Sequence, residues 1–105
     1  MAPQLLLIMT TCNVKKVLET MAHDLVHEKV VACAQLSGPF TSSYLWNNQF
    51  ETENEWQLIL KTSFDLKSHI NHYIKTHHPY DCPEIIYLSV DADSDYLAWV
   101  KKNIT

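Results

Sequence analysis

Two strand-like segments meet at Asn47-Asn48, and the length of the ribbon they make limits what this chain can fold into. Two asparagines tolerate the positive φ angles of a tight hairpin turn. Upstream, Val30-Val31-Ala32-Cys33-Ala34 starts a strand that Gly38-Pro39 bends or bulges and that resumes through Tyr44-Leu45-Trp46. Downstream, the segment from Gln49 to about Thr62 alternates. Phe50, Trp56, Leu58 and Leu60 point one way, while Glu51, Glu53, Glu55, Gln57 and Lys61 point the other. From Val31 to Trp46 such a strand extends to about 50 Å.

The rest of the chain supplies too little to cover that ribbon. Residues 5–9 are an unbroken apolar run, the pattern of a strand buried on both faces. Val14, Val17, Leu18, Met21, Leu25 and Val26 recur at helical spacing over 13–28, with Asn13 as the expected N-cap. That helix spans roughly 22 Å. A second helix is expected over 64–77, with Leu66, Ile70, Tyr73, Ile74 and His77 on one stripe and Pro79 ending it. Ile85-Ile86-Tyr87-Leu88 reads as a fourth strand, and Asp93 or Ser94 caps a final helix carrying Tyr96, Leu97, Trp99 and Val100. The order β-α-β-β-α-β with a C-terminal helix is the ferredoxin-like α+β arrangement: an antiparallel sheet, helices on one face, and a long projecting hairpin. All 105 residues are expected to form one domain.

Side-chain parity sharpens the covering problem. A two-residue turn sets Trp46 opposite Gln49, Tyr44 opposite Glu51 and Ser42 opposite Glu53, and opposed residues share a face. One face of the arm then carries Tyr44 and Trp46 beside carboxylates, and the other carries Leu45 and Phe50. Aromatic and apolar groups on an arm beyond reach of its own helices are an aggregation hazard unless a neighbour covers them. Self-assembly in a closed ring is the expectation. The alternative is an arm folded back on its own sheet at Gly38-Pro39.

Charge narrows the partners. The net charge is -4, from eight basic and twelve acidic residues, and no Arg is present. No basic cluster exists to bind nucleic acid or an anionic membrane. The run Leu5–Met9 lacks the basic flank of a signal peptide and is too short to span a bilayer. Three widely spaced cysteines, Cys12, Cys33 and Cys82, suit a reducing compartment, so a cytoplasmic location is expected.

Glu28-Lys29, Ala32-Cys33, Ser43-Tyr44 with Trp46, Lys61-Thr62, His78-Pro79-Tyr80, Pro83-Glu84, and Tyr96 with Trp99 stand in an order and spacing that resembles the CutA divalent-cation tolerance family. The resemblance covers nearly the whole chain. It implies a ferredoxin-like homotrimer, similar in fold to the PII signalling proteins, and a link to copper or another divalent cation. No enzymatic activity is established for the family as a whole. It also implies a ligand-binding cleft between subunits at Tyr44, Trp46, Lys61, His78 and Tyr80, suited to a small anion or metabolite. The family commonly has Gly at the position of Asn48 and Asn at that of Gln35. Some relatives carry a copper-linked Cys where this chain has Thr10, since Cys12 is expected to fall after the first strand.

Several groups can carry chemistry. His77, His78 and Cys33 are the candidate metal ligands. Against this, His77 finishes an apolar stripe, His78 sits at a helix end, and Cys33 reads as packing in a strand. Cys12 and Cys82 fall near element ends, where exposure is expected. His23 with His27, and His69 with His72, have chelating spacing but read as solvated helix faces. Glu51, Glu53 and Glu55 form an acidic ladder that attracts cations or simply faces water. Tyr44, Leu45, Trp46, Phe50 and Trp56 are the expected trimer interface. The expected role is a non-enzymatic trimer binding a metal ion or small ligand in homeostasis or signalling. An enzyme acting on a small molecule in the cleft, or a structural partner-binding trimer, remain open as alternatives.

Overall fold

A computed structural model describes residues 5–105 of the chain. In chain order the elements are β1 (Leu5–Cys12), α1 (Lys15–His27), β2 (Cys33–Trp46), β3 (Gln49–Thr62), a 3-10 turn at Phe64–Leu66, α2 (Lys67–His77), β4 (Ile86–Val90) and α3 (Ser94–Lys102). The four strands form one antiparallel sheet in the order β2-β3-β1-β4. The fold is the α+β arrangement expected from the element order.

One face of the sheet is dry. Leu6 and Ile8 of β1 and Leu58 and Leu60 of β3 meet Leu18, Met21 and Leu25 of α1 and Ile70 and Ile74 of α2, all at most 1% exposed. Period-2 and period-3.6 patterns thus point at one another across the interface. The opposite face is left without α1 or α2. There the pairings Leu7↔Leu88 and Met9↔Ile86 place apolar side chains in a row, and Ile86 and Leu88 are nearly half exposed.

The ribbon has the expected register. Trp46 pairs with Gln49, Tyr44 with Glu51 and Ser42 with Glu53, while Asn47 and Asn48 have φ of 52° and 63°. Two positive φ angles define the type I′ turn, and Asn supplies them at low cost. A register shift lies between Ser37 and Phe40, where Gly38-Pro39 is inserted. β1 pairs with β3 only from Trp56 to Thr62. From Phe40 to Glu55 the sheet is therefore two-stranded and projects, giving the molecule a long axis of 45 Å.

Boundaries differ from the sequence reading for identifiable reasons. β1 runs on to Cys12, because Thr10, Thr11 and Cys12 find partners in Leu58, Gln57 and Trp56. Cys12 is consequently inside the strand and fully buried, not exposed after it, whereas Cys82 is exposed. Val30 and Val31 precede β2: Lys29 takes a φ of 59°, and both valine N–H groups turn back to the Leu25 carbonyl. Such left-handed residues close helix C-termini, and Lys here does the work usually given to Gly. Asn13 does not cap α1; Val14 holds that position without a side-chain bond, because the Asn13 amide is drawn to Glu53. Asp93 caps α3 as expected, accepting from the N–H groups of Asp95 and Tyr96.

Gly38 has a φ of 124°, and a Cβ there would meet the Glu55 carbonyl at 3.0 Å and Trp56 Cα at 3.1 Å. Both obstacles are backbone. Gly38→Ala is expected to destabilise the fold by about 1–3 kcal/mol in urea titrations. An unchanged midpoint would mean that the bulge is not under this constraint.

Candidate functional site

An acidic cleft lies where the projecting arm leaves the sheet. On β3, the Glu51, Glu53 and Glu55 side chains fall on the face away from α1 and α2, because Trp56, Leu58 and Leu60 take the core side. Across the ribbon stand Tyr44 and Ser42. The loop after α2 brings up Tyr80, Asp81, Cys82 and Glu84, and Thr11 closes the floor. The cleft is open, with a volume of about 690 Å³. Among the described residues, five carboxylates line it and no Lys or His does.

The acids are tied into a network by phenols and an amide. Tyr44 donates its hydroxyl to Glu53 Oε2 at 2.9 Å, and Asn13 Nδ2 donates to Glu53 Oε1 at 2.7 Å. Tyr80 donates to Glu55 Oε2 at 2.7 Å and accepts from the Asn13 N–H at 2.9 Å. Bonds to a carboxylate are about twice as strong as neutral ones, which explains why Asn13 abandons the helix cap. Glu55 is only 5% exposed, so its phenol partner stands in for lost water. Burial, then the hydrogen bond to Glu55, pushes the Tyr80 phenol far above its ordinary range. Tyr44 is raised too, chiefly by its bond to Glu53. Glu84 is raised by desolvation and then by the Glu55 charge.

The expected cleft residues separate into three groups. Tyr44, Trp46 and Tyr80 do line one cleft. His78 lies behind it: its Nε2–H donates to the Thr11 carbonyl at 2.7 Å, and its Nδ1 accepts from the Tyr80 N–H at 3.1 Å. Both ring nitrogens are thus spent on positioning Tyr80, whose ring it also meets edge-on at 4.7 Å. Lys61 is elsewhere, with its ammonium 5.4 Å from the Tyr96 ring centre. Within this chain the lining of the cleft is therefore negative, and Lys61 of the same chain does not join it.

The three candidate metal ligands are not brought together. Cys33 lies opposite Lys61, which lies opposite Leu7; His78 is bonded at Thr11, four residues along β1, or about 13 Å away. His77 donates Nδ1–H to the Tyr73 carbonyl at 2.9 Å and stacks on that ring. Among the described residues no three His, Cys, Asp or Glu converge as metal ligands do. Thr10 faces the core, fully buried, with its hydroxyl unpartnered, and so does not open to the cleft. Of the expected interface residues, Tyr44, Leu45, Trp46 and Phe50 are exposed, up to 71% for Phe50, whereas Trp56 packs against the chain's own core.

Comparison with known proteins decides the family. The model of the CutA1 divalent ion tolerance protein matches residues 6–103. The chain belongs to the CutA1 family. A divalent-cation tolerance protein CutA from Yersinia pestis (strain Pestoides F) is 39% identical over 87 residues, which is 82% of this chain and 73% of the relative. The CutA1 structure from Shewanella sp. SIB1 superimposes with a TM-score of 0.92 at 31% identity, covering 99% of this chain and 98% of the other. CutA1 from Oryza sativa gives 0.91 at 28% identity, with coverage of 99% and 96%.

Among the residues that sequence reasoning missed at the CutA1 cleft, Asn13 and Glu84 matter most. Pro83-Glu84 had been visible as a motif, but nothing in the sequence placed it beside Glu55. Its raised pKa has a definite consequence. The folded state holds the Glu84 proton more tightly than the unfolded chain, so Glu84 is unpenalised below the ordinary carboxylate range and costs stability as pH rises through its folded pKa. Glu84→Gln is therefore expected to match wild type in melting temperature at acid pH and to exceed it increasingly toward neutrality. Parallel curves at all pH values would contradict the assignment.

Proposed function

We propose that this chain acts as a homotrimer in divalent-cation tolerance, holding a cation or small cationic ligand in the acidic cleft and not catalysing a reaction. The observation that carries this reading is the cleft's charge: among the described residues, five carboxylates and no lysine or histidine line it. Low-dielectric walls concentrate such a field and raise the local cation concentration. Oxygen donors suit hard ions such as Mg²⁺, Mn²⁺ or Ca²⁺ better than copper. The nitrogen and sulfur groups of His77, His78 and Cys33, which would suit copper, stand apart.

Assembly is supported by two uncovered surfaces. The arm exposes Leu45, Trp46 and Phe50, and the sheet face away from α1 and α2 exposes Ile86 and Leu88. A neighbour lying across that face covers both and adds groups to an open cleft. The carboxylates of one chain attract an ion, and a neighbour's side chains complete its coordination. The divalent-cation tolerance named for the Yersinia relative agrees with this reading.

Sedimentation and dialysis together test it. The expected particle has about three times the 12.2 kDa chain mass. Equilibrium dialysis with Mn²⁺ is expected to find binding that weakens by about tenfold or more in a Glu53→Gln/Glu84→Gln variant. A 12.2 kDa particle, or Mn²⁺ binding indifferent to both substitutions, would overturn the proposal.

A further inference from the structure

The exposed side of α1 carries a second arrangement that the cleft does not use. His23 and His27 lie one helical turn apart, where side chains four residues apart meet. Their ring centres are 4.2 Å apart and the planes are inclined by 37°. Imidazole nitrogens bind zinc at about 2.0–2.1 Å, so two rings at this spacing can reach one ion.

The protonation pattern favours this use. His23 Nδ1 lies 3.3 Å from Asp24 Oδ1, and because a carboxylate only accepts, the proton sits on Nδ1. In the neutral ring the Nε2 lone pair is then available to an ion. Histidines that bind metals commonly hold their other N–H on a carboxylate in this way, which fixes the ring and raises its basicity. Asp24 is anchored in turn, since Tyr73 from α2 donates its hydroxyl to Oδ2 at 3.4 Å. The Asp24–Tyr73 contact joins α1 to α2 and holds the carboxylate beside the His23 ring.

We propose that His23 and His27 form a two-imidazole surface site for a divalent ion of the copper, nickel or zinc class, with Asp24 as the positioning residue. Water fills the remaining coordination positions. Nitrogen donors select these ions over Mg²⁺ and Ca²⁺, so the site and the oxygen-lined cleft differ in chemistry as well as in place. The inference stands independently of the cleft proposal.

Calorimetric titration with Cu²⁺ in a non-chelating buffer tests it on wild type, His23→Ala, His27→Ala and Asp24→Asn. Each change is at the helix surface, and Ala is a strong helix former, so the fold is expected to persist and is checked by circular dichroism. Either His variant is expected to lose about tenfold or more in Cu²⁺ affinity, and Asp24→Asn about tenfold. Zn²⁺ is expected to shift the ring-proton resonances of His23 and His27 together while leaving His69 and His72 still. Unchanged Cu²⁺ affinity in the His23→Ala/His27→Ala double variant would overturn the site, as would Zn²⁺ moving neither ring. Glu53→Gln/Glu84→Gln leaves this site intact, so the two proposals succeed or fail separately.

Discussion

The two-residue turn at Asn47-Asn48 fixes β2 against β3, and the cleft side chains carried by the arm take their face from that pairing. Side chains alternate along a strand, so a slip of one residue would send Glu51, Glu53 and Glu55 to the opposite face. The insertion at Gly38-Pro39 resets the register between the part of the ribbon that sits over the helices and the part that projects. Below it, Leu36 and Ala34 join the core with Leu58 and Leu60; above it, Tyr44 and Ser42 stand over the carboxylates. One strand pair thereby serves a dry core at one end and a charged cleft at the other.

Local patterns made most of this legible. The turn residues, the alternation in β3 and the stripes on α1 and α2 depend on near neighbours only, and the registers drawn from them stand in the structure. What could not be read depends on contacts distant in sequence. Asn13 looked like a cap, but a carboxylate forty residues away competes for its amide and wins. The resemblance groups Lys61 and His78 with Tyr80; Lys61 shares the face of the cleft carboxylates but lies six residues beyond Glu55 on β3, beside Tyr96, and His78 is bonded to Thr11 behind the wall. Cys12 looked free because the length of β1 is set by how far β3 extends to meet it. Glu84 carried no local signal of its neighbour Glu55.

Placing the chain in the CutA1 family gives this arrangement a setting in divalent-cation tolerance, and the electrostatics give it a direction. Glu55 is nearly sealed from water yet shares the cleft with Glu84, Glu53 and Glu51, and its hydrogen-bond partner is the Tyr80 phenol. Such clustering is unfavourable for folding alone. It is intelligible if a bound cation or a neighbouring subunit supplies what the isolated cleft lacks. The same logic applies to the arm. A two-stranded ribbon is marginal in water, and this one presents Phe50 and Leu45 on its outer face.

The central claim is that sister copies shelter the arm, and hydrogen exchange measures it most directly. Amides of Phe40–Trp46 and Gln49–Asn54 are predicted to exchange as slowly as those of Leu58–Leu60 in the core when the protein is at assembled concentrations. Rapid exchange along the arm while the core stays protected would contradict the account, because it would mean that the ribbon stands in water unaided.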